Sequence, residues 1–236
     1  MLELKNITHF YGNKTSLENF SLQAPRGEIT CLLGSSGCGK TTALRLIAGL
    51  EVPSEGEISI NGKTVSRDGK ILVQPHERNI GFIFQDLALW PHFTVLRNVA
   101  FGLNERKISD AEKKACETLA LFGLQDYAEK FPHQLSGGQK QLAAIARALA
   151  LEPKILLMDE PLANLDVKLK RKILTLVKNL KTDFGLTIVY VTHDHREAFA
   201  LADKIAVIDN GKVIEFGTPQ EIKRSENEFV KYFLEY

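Results

Sequence analysis

The run Gly34-Ser35-Ser36-Gly37-Cys38-Gly39-Lys40-Thr41, with Thr42 behind it, fits G-x-x-x-x-G-K-[ST]. The chemistry open to such a run is the holding of a polyphosphate. Glycines let backbone N–H groups turn toward an anion with no Cβ in the way. A helix beginning at the same point adds the positive end of its dipole. Lys40 would reach the β- and γ-phosphates, and the Thr41 hydroxyl would hold Mg²⁺. A Gly/Ser turn before an ordinary helix needs no Lys-Thr at its end, so nucleotide binding is the reading the residues favour.

Two further groups bear on that reading. Ile155-Leu156-Leu157-Met158-Asp159-Glu160 is an apolar run ending in two carboxylates. At the C-terminal end of a central strand they would lie in the crevice where such sheets bind ligands. Asp159 suits a Mg²⁺ role there, and Glu160 a water-polarising one. Leu135-Ser136-Gly137-Gly138-Gln139 opens a helix with Ser136 in a capping position, which makes a second anion site. One nucleotide does not need two cradles in one chain. The economical explanation is that Ser136 to Gln139 meet the γ-phosphate of a nucleotide bound to another copy.

The elements that must position these groups are partly readable. Leu2 to Tyr11 reads as a strand, Phe20-Ser21-Leu22 as a second, and Ile29 to Leu33 as the strand feeding the glycine loop. Thr42 to Ala48 reads as the helix that follows it. Glu57 to Ile60 alternates and ends at the tight-turn pair Asn61-Gly62, and Asn79 to Phe84 is a further short strand. The segment from Val95 to about Tyr127 reads as helical, with Ser109-Asp110-Ala111-Glu112 as a capping box. Phe131 to Gln134 breaks that pattern, and Gly138 to Ala150 resumes it. Strands and helices then alternate from Lys154 to Ile208, the pattern of a doubly wound parallel sheet. Asn210-Gly211 turns a terminal hairpin, and Thr218 starts short closing helices. Lys168, Lys170, Arg171 and Lys172 read as a solvated helix face.

Composition narrows the class. A chain of 236 residues, 44% hydrophobic and 25% charged, can bury a full core as one large domain or two joined lobes. The net charge of +1 makes no bulk electrostatic case for nucleic acid or an anionic membrane. No apolar run is long enough to span a bilayer, and the first residues do not resemble a signal peptide. Three scattered cysteines, Cys31, Cys38 and Cys116, suit a reducing cytosol and form neither a disulfide framework nor a zinc site. Cys38, inside the glycine loop, is expected to react with alkylating reagents.

Taken in order, GSSGCGKTT, Gln85 after an apolar strand, LSGGQ, ILLMDEP, the Asn164-Leu165-Asp166 turn and His193 after Ile188 to Thr192 resemble the ATP-binding subunit of an ABC transporter. The resemblance covers essentially the whole chain. It implies an α/β fold of the P-loop NTPase type. A RecA-like core with a mixed, mainly parallel sheet and an antiparallel β part would comprise 1–85 and 153–236, and an inserted helical lobe about 86–152. It implies ATP and Mg²⁺ as ligands, with Gly34 to Thr42 around the phosphates. Tyr11 matches the aromatic that stacks on adenine, the plain alternative being a core tyrosine at a strand end. Gln85 matches the residue linking Mg²⁺ and the attacking water to the membrane partner. Asp166 matches the turn that communicates across a dimer, and His193 the γ-phosphate sensor, although a lone histidine is more often structural. Family members close head to tail on two ATP molecules, each held between one P-loop and the opposite LSGGQ.

Gln85 to Val95, Asn98 to Leu103, Thr192 to Ala198 and Gly217 to Ile222 resemble the importer branch serving sugars, polyamines and ferric iron. In that branch permease subunits dock near Gln85 to Phe93, a solute-binding protein acts indirectly, and the ATPase sits peripherally on the cytoplasmic face of the membrane. Leu142 departs from the Arg usual there. The chain stops at Tyr236, where the family's ATPase domain ends, so the regulatory domain of many members is not expected here. A soluble ABC ATPase of DNA repair or translation is the competing class. The interval from Gln85 to Leu135 is too short for the coiled coil many of those carry.

Overall fold

The computed structural model describes residues 1–163 and 165–235. Asn164 of the expected Asn164-Leu165-Asp166 turn and the terminal Tyr236 lie outside the described residues. β1 (Leu2–Tyr11) and β2 (Lys14–Ala24) form a hairpin around Gly12, and β3 (Ile29–Leu33) leads through the glycine loop into α1 (Lys40–Ala48). β4 (Glu55–Ile60), β5 (Lys63–Arg67) and β6 (Lys70–Ile71) follow, then β7 (Ile80–Ile83). Three helices come next, α2 (Val95–Glu105), α3 (Ala111–Leu121) and α4 (Gly137–Leu149). The chain then alternates through β8 (Ile155–Asp159), α5 (Val167–Phe184), β9 (Thr187–Thr192), α6 (His195–Leu201) and β10 (Lys204–Asp209). β11 (Lys212–Gly217), α7 (Pro219–Lys223) and α8 (Glu228–Glu235) close it.

Two sheets result. One is antiparallel, in the order β2-β1-β4-β5-β6. The other runs β11-β10-β3-β9-β8-β7 and is parallel except for β11. Strand alternation divides the second sheet's side chains between two cores. Leu32, Val189, Val191, Ala206 and Ile208 face α1 and the antiparallel sheet, packing on Leu44, Ile47, Leu4 and Phe20. Cys31, Leu33, Ile188, Tyr190, Ile205 and Val207 face the other way, onto α5, α6 and the C-terminal helices. Apolar residues on both faces of a strand are what a parallel sheet covered on both sides requires. A third cluster joins α2, α3 and α4 through Val95, Val99, Leu103, Leu119 and Ala143. Leu142 packs, partly buried, against that cluster.

The structure corrects several local expectations. β2 extends well beyond Phe20 to Leu22. The capping box at Ser109 does not form: Asp110 is the N-cap, has φ +57° and makes no side-chain cap bond. β8 is not central but lies next to the edge, separated from β3 by β9. Of the four basic residues expected on a solvated face, Lys168, Arg171 and Lys172 are exposed, but Lys170 turns inward and donates to buried Glu197 at 2.8 Å. Among the described residues no helix is long and apolar enough to cross a membrane.

Two buried polar side chains fix the layout around the glycine loop and the helices. Asn98 accepts from Trp90 N–H and donates to the carbonyls of Trp90, Phe93 and Thr94, which pins the loop before α2. Arg78, only 4% exposed, donates to the carbonyls of Leu46 and Ile47 at the end of α1, to Val65 and Val73, and to the Ser66 hydroxyl. It thereby ties the P-loop helix to the antiparallel sheet. The Leu46 and Val65 carbonyls keep backbone donors without it, but the Ile47 and Val73 carbonyls and the Ser66 hydroxyl lose this donor inside the fold, so we expect Arg78→Met to cost about 3 kcal/mol in chemical denaturation. A loss below about 1 kcal/mol would show that the guanidinium is replaceable packing.

Candidate functional site

β3 is buried at every residue and delivers the glycine loop to the C-terminal end of the parallel sheet. Two of the loop's positions require glycine for different reasons. A Cβ at Gly34 would sit 2.3 Å from the Ile208 carbonyl oxygen. Gly39 has φ +105°, and a Cβ there would meet the Ser16 carbonyl oxygen at 2.7 Å. Gly39 is also the N-cap of α1, which has no side-chain cap and no acidic residue in its first turn. The helix's leading N–H groups are therefore left for an anion. Ser35, Ser36 and Gly37 are exposed at the loop's rim. Lys40 is buried, its ammonium donating to the carbonyls of Gly34 at 2.9 Å and Ser35 at 2.7 Å.

The acidic end of β8 meets this loop despite the intervening strand. Thr41 Oγ1 donates to Asp159 Oδ1 at 3.0 Å, and burial raises the Asp159 carboxyl above its ordinary range. Glu160 has φ +43°, a left-handed conformation costing about 1–2 kcal/mol for a residue with a Cβ. That turn sends its carboxylate to His193, whose Nδ1 lies 3.1 Å from Glu160 Oε2. His193 follows β9 and its side chain is 57% exposed. A buried carboxylate whose charge is opposed by burial, beside a hydroxyl, is a hard oxygen donor set that fits Mg²⁺. Gln85, which carries a side-chain amide, lines the same cleft.

That cleft has a volume of about 460 Å³ and is walled by Tyr11, Lys40, Thr41, Thr42, Gln85 and Glu160, with Ser36, Gly37 and Gly39 of the loop. Tyr11 stands at its mouth, 46% exposed, its hydroxyl donating to Glu51. Sequence reasoning missed Lys14, Thr15 and Ser16, which also line the cleft, and Glu51 behind Tyr11. Ser16 Oγ lies 2.8 Å from Thr42 Oγ1. The Gly12-Asn13 pair could have signalled a hairpin, but not that its returning strand walls a cleft.

Ser136, Gly137, Gly138, Gln139 and Asp166 do not line this cleft. They gather with one another instead. Ser136 and Gln139 bond reciprocally at the start of α4, at 2.8 and 3.3 Å, while Ser136 and Gly137 remain exposed. A Cβ at Gly138 would strike Leu169 of α5 at 2.7 Å, so glycine lets the two helices touch. Asp166 caps α5 by accepting from Leu169 N–H at 3.0 Å.

Cys38 departs from expectation. It is 5% exposed, and burial raises its thiol above the ordinary range, against the pull of Lys40. At neutral pH a smaller fraction is therefore thiolate, and access is poor. We expect an alkylating reagent at pH 7 to modify exposed Cys116 first and Cys38 at least about tenfold more slowly, with the Cys38 rate rising as pH increases. Mass mapping of modified peptides reads this out, and labelling of Cys38 as fast as Cys116 would contradict it.

Comparison with known proteins agrees with this geometry. The family model described as ABC transporter matches residues 17–163. The spermidine/putrescine import ATP-binding protein PotA of Thermotoga maritima is 43% identical over 236 residues, covering 99% of this chain and 63% of that protein. The Fe(3+) ions import ATP-binding protein FbpC of Escherichia coli is 45% identical over 225 residues, covering 94% of this chain and 63% of that protein. This chain thus spans less than two thirds of the length of either relative. An ATP-binding cassette solved as a dimer in a post-hydrolysis state, bound to ADP and Pi, superposes with a TM-score of 0.82 at 36% identity, over 93% of this chain and 99% of that one. With the family model matching more than half of its length, the chain belongs to the ABC transporter family and has the fold of its ATP-binding cassettes.

Proposed function

We propose that this chain is the ATP-hydrolysing subunit of an ABC importer, acting as a head-to-tail pair of copies on the cytoplasmic face of the membrane. The observation that carries the reading is a division within one chain. The phosphate cradle, Lys40 and Glu160 share one cleft, with Asp159 bonded to its Thr41, while Ser136 and Gly137 lie exposed elsewhere. A second copy would bring its Ser136 to Gln139 over the first copy's cleft, and the dimeric neighbour with ADP and Pi supports the pairing of two copies.

In this reading Tyr11 stacks on adenine, Gly34 to Thr42 surround the phosphates, and Lys40 neutralises the β- and γ-phosphates. Thr41, Asp159 and Gln85 would hold Mg²⁺, which supplies charge neutralisation across the phosphate oxygens when bound. Glu160 accepts a proton from the attacking water and orients it. His193, held beside Glu160, donates toward the γ-phosphate, and Asp166 relays closure across the pair. Little covalent chemistry is asked of the protein, because positioning and electrostatics carry phosphoryl transfer.

Residues 1–85 and 153–236 would form the ATP-binding core, and about 86–152 the lobe that meets the permease. A groove of about 340 Å³ beside Gln85 supports docking of a short permease helix. Phe82, Phe84, Trp90 and Phe101 line it, Trp90 packs on Phe101, and Arg147 lies over the Trp90 ring. A solute-binding protein would act through the permease. The cargo is not written in this chain's site: two relatives of near-equal identity are named for a polyamine and for a ferric ion.

Two variants test the chemistry. Glu160→Gln should retain ATP, persist as an ATP-bound dimer in size-exclusion chromatography, and lose hydrolysis by at least about 10²-fold. Wild-type-like turnover would remove Glu160 as the base. Tyr11→Ala should weaken ATP binding by about tenfold while Tyr11→Phe, which keeps the ring, stays within about threefold. Equal losses in both would remove stacking as the role of Tyr11.

A further inference from the structure

We propose that Glu197 is a positioning residue for His193, and that Lys170 ties the start of α5, with its Asp166 turn, to the turn that carries His193. The inference rests on the function proposed above, in which His193 faces the γ-phosphate.

Glu197, on α6, is a carboxylate only 5% exposed, and two other elements, β9 and α5, converge on it. Its Oε2 accepts from Tyr190 Oη of β9 at 3.0 Å and from Thr192 Oγ1 at 2.9 Å. Its Oε1 accepts from Lys170 Nζ of α5 at 2.8 Å. Thr192 Oγ1, oriented by that donation, accepts in turn from Asp194 N–H at 3.0 Å. The residues on both sides of His193 are thus held by a network centred on Glu197, while the His193 side chain itself stays largely exposed beside Glu160 of the cleft. Burial and the Glu197 carboxylate push the Tyr190 phenol well up, which keeps it a donor.

The tie to α5 gives the network a direction. Lys170 N–H donates to the Asp166 carbonyl at 2.9 Å, in the first turn of the same helix. Its ammonium therefore follows any movement of the Asp166 turn. A second lysine on the same face of α5, about three turns further along, repeats the device: Lys181 donates to both oxygens of Asp203 at 3.0 Å. Asp203 also accepts from Ile29 N–H of β3 at 2.8 Å. With both lysines anchored, α5 is fastened to the flanks of α6, and displacement at Asp166 reaches the His193 turn through packed, hydrogen-bonded groups. A buried carboxylate is costly to hold unless every oxygen is bonded, and here each oxygen bonds to a different part of this path.

The test is steady-state ATP hydrolysis by the full-length protein in its assembled complex, with ATP affinity, melting temperature and the ¹⁵N imidazole resonances of His193 recorded alongside. The variants are Lys170→Met, Lys170→Arg and Glu197→Gln. Lys170→Met and Glu197→Gln are expected to lower kcat about tenfold with KM for ATP within about twofold, and to move the His193 resonances. Lys170→Arg should restore most of both. Because Lys170 is half-buried, Lys170→Met keeps the test alive should Glu197→Gln fold poorly. Unchanged kcat per folded molecule and unmoved His193 resonances, even with a lower melting temperature, would reduce the network to packing and overturn the inference. A wild-type complex that does not hydrolyse ATP would overturn the proposed function, and this inference with it. An active wild type with wild-type-like variants overturns this inference alone.

Discussion

A buried ammonium held by two carbonyls and the Cys38 sulfur sets the terms for the rest of the structure. Lys40 donates to Gly34 and Ser35 of its own loop, and among the described residues no carboxylate pairs with it. Such a charge is expensive to remove from water and is only partly compensated by neutral dipoles. The loop cannot relax to hydrate it, because Gly34 lies against Ile208 and Gly39 against Ser16. α1 behind the loop is wedged between two sheets by Leu44 and Ile47. The result is a preorganised positive site whose natural complement is an anion at an uncapped helix end.

The same rigidity explains why the acidic residues sit where they do. β9 separates β3 from β8, so Asp159 and Glu160 approach from one strand away rather than from beside the P-loop. Asp159 still reaches Thr41, and Glu160 is turned by its left-handed backbone toward His193 at the end of the intervening strand. The three successive parallel strands thus present the loop, the histidine and the carboxylates along one edge of the sheet. Ser136 to Gln139 and Asp166 occupy another surface, where Gly138 lets α4 and α5 touch.

Buried polar side chains, as well as apolar packing, join elements distant in sequence. Arg78 joins α1 to the antiparallel sheet, Asn98 pins the loop before α2, and Glu197 gathers α5, α6 and β9. Apolar contacts are non-directional and tolerate sliding. Hydrogen bonds to buried groups do not, because any shift leaves an unpaired donor or acceptor. Relative placement of the layers is therefore specified at a few polar points.

What the sequence by itself determined were the features encoded in neighbouring residues. The strand–loop–helix around Lys40, the capped start of α4 at Ser136, the alternation of strand and helix after Lys154 and the hairpin at Asn210-Gly211 all have local causes: glycine's φ range, cap chemistry, and apolar periodicity. Where a local rule competed with the surroundings it failed, as at Ser109, where Asp110 became the cap instead. The tertiary structure alone decided strand order, and with it the distance between β3 and β8. It also decided that Lys170 turns inward to Glu197, that Cys38 is buried, and that Lys14, Thr15 and Ser16 wall the cleft. Each of these depends on which distant segment lies opposite, and no periodicity or propensity carries that information, because a side chain's partner across a core is set by packing rather than by its neighbours in the chain.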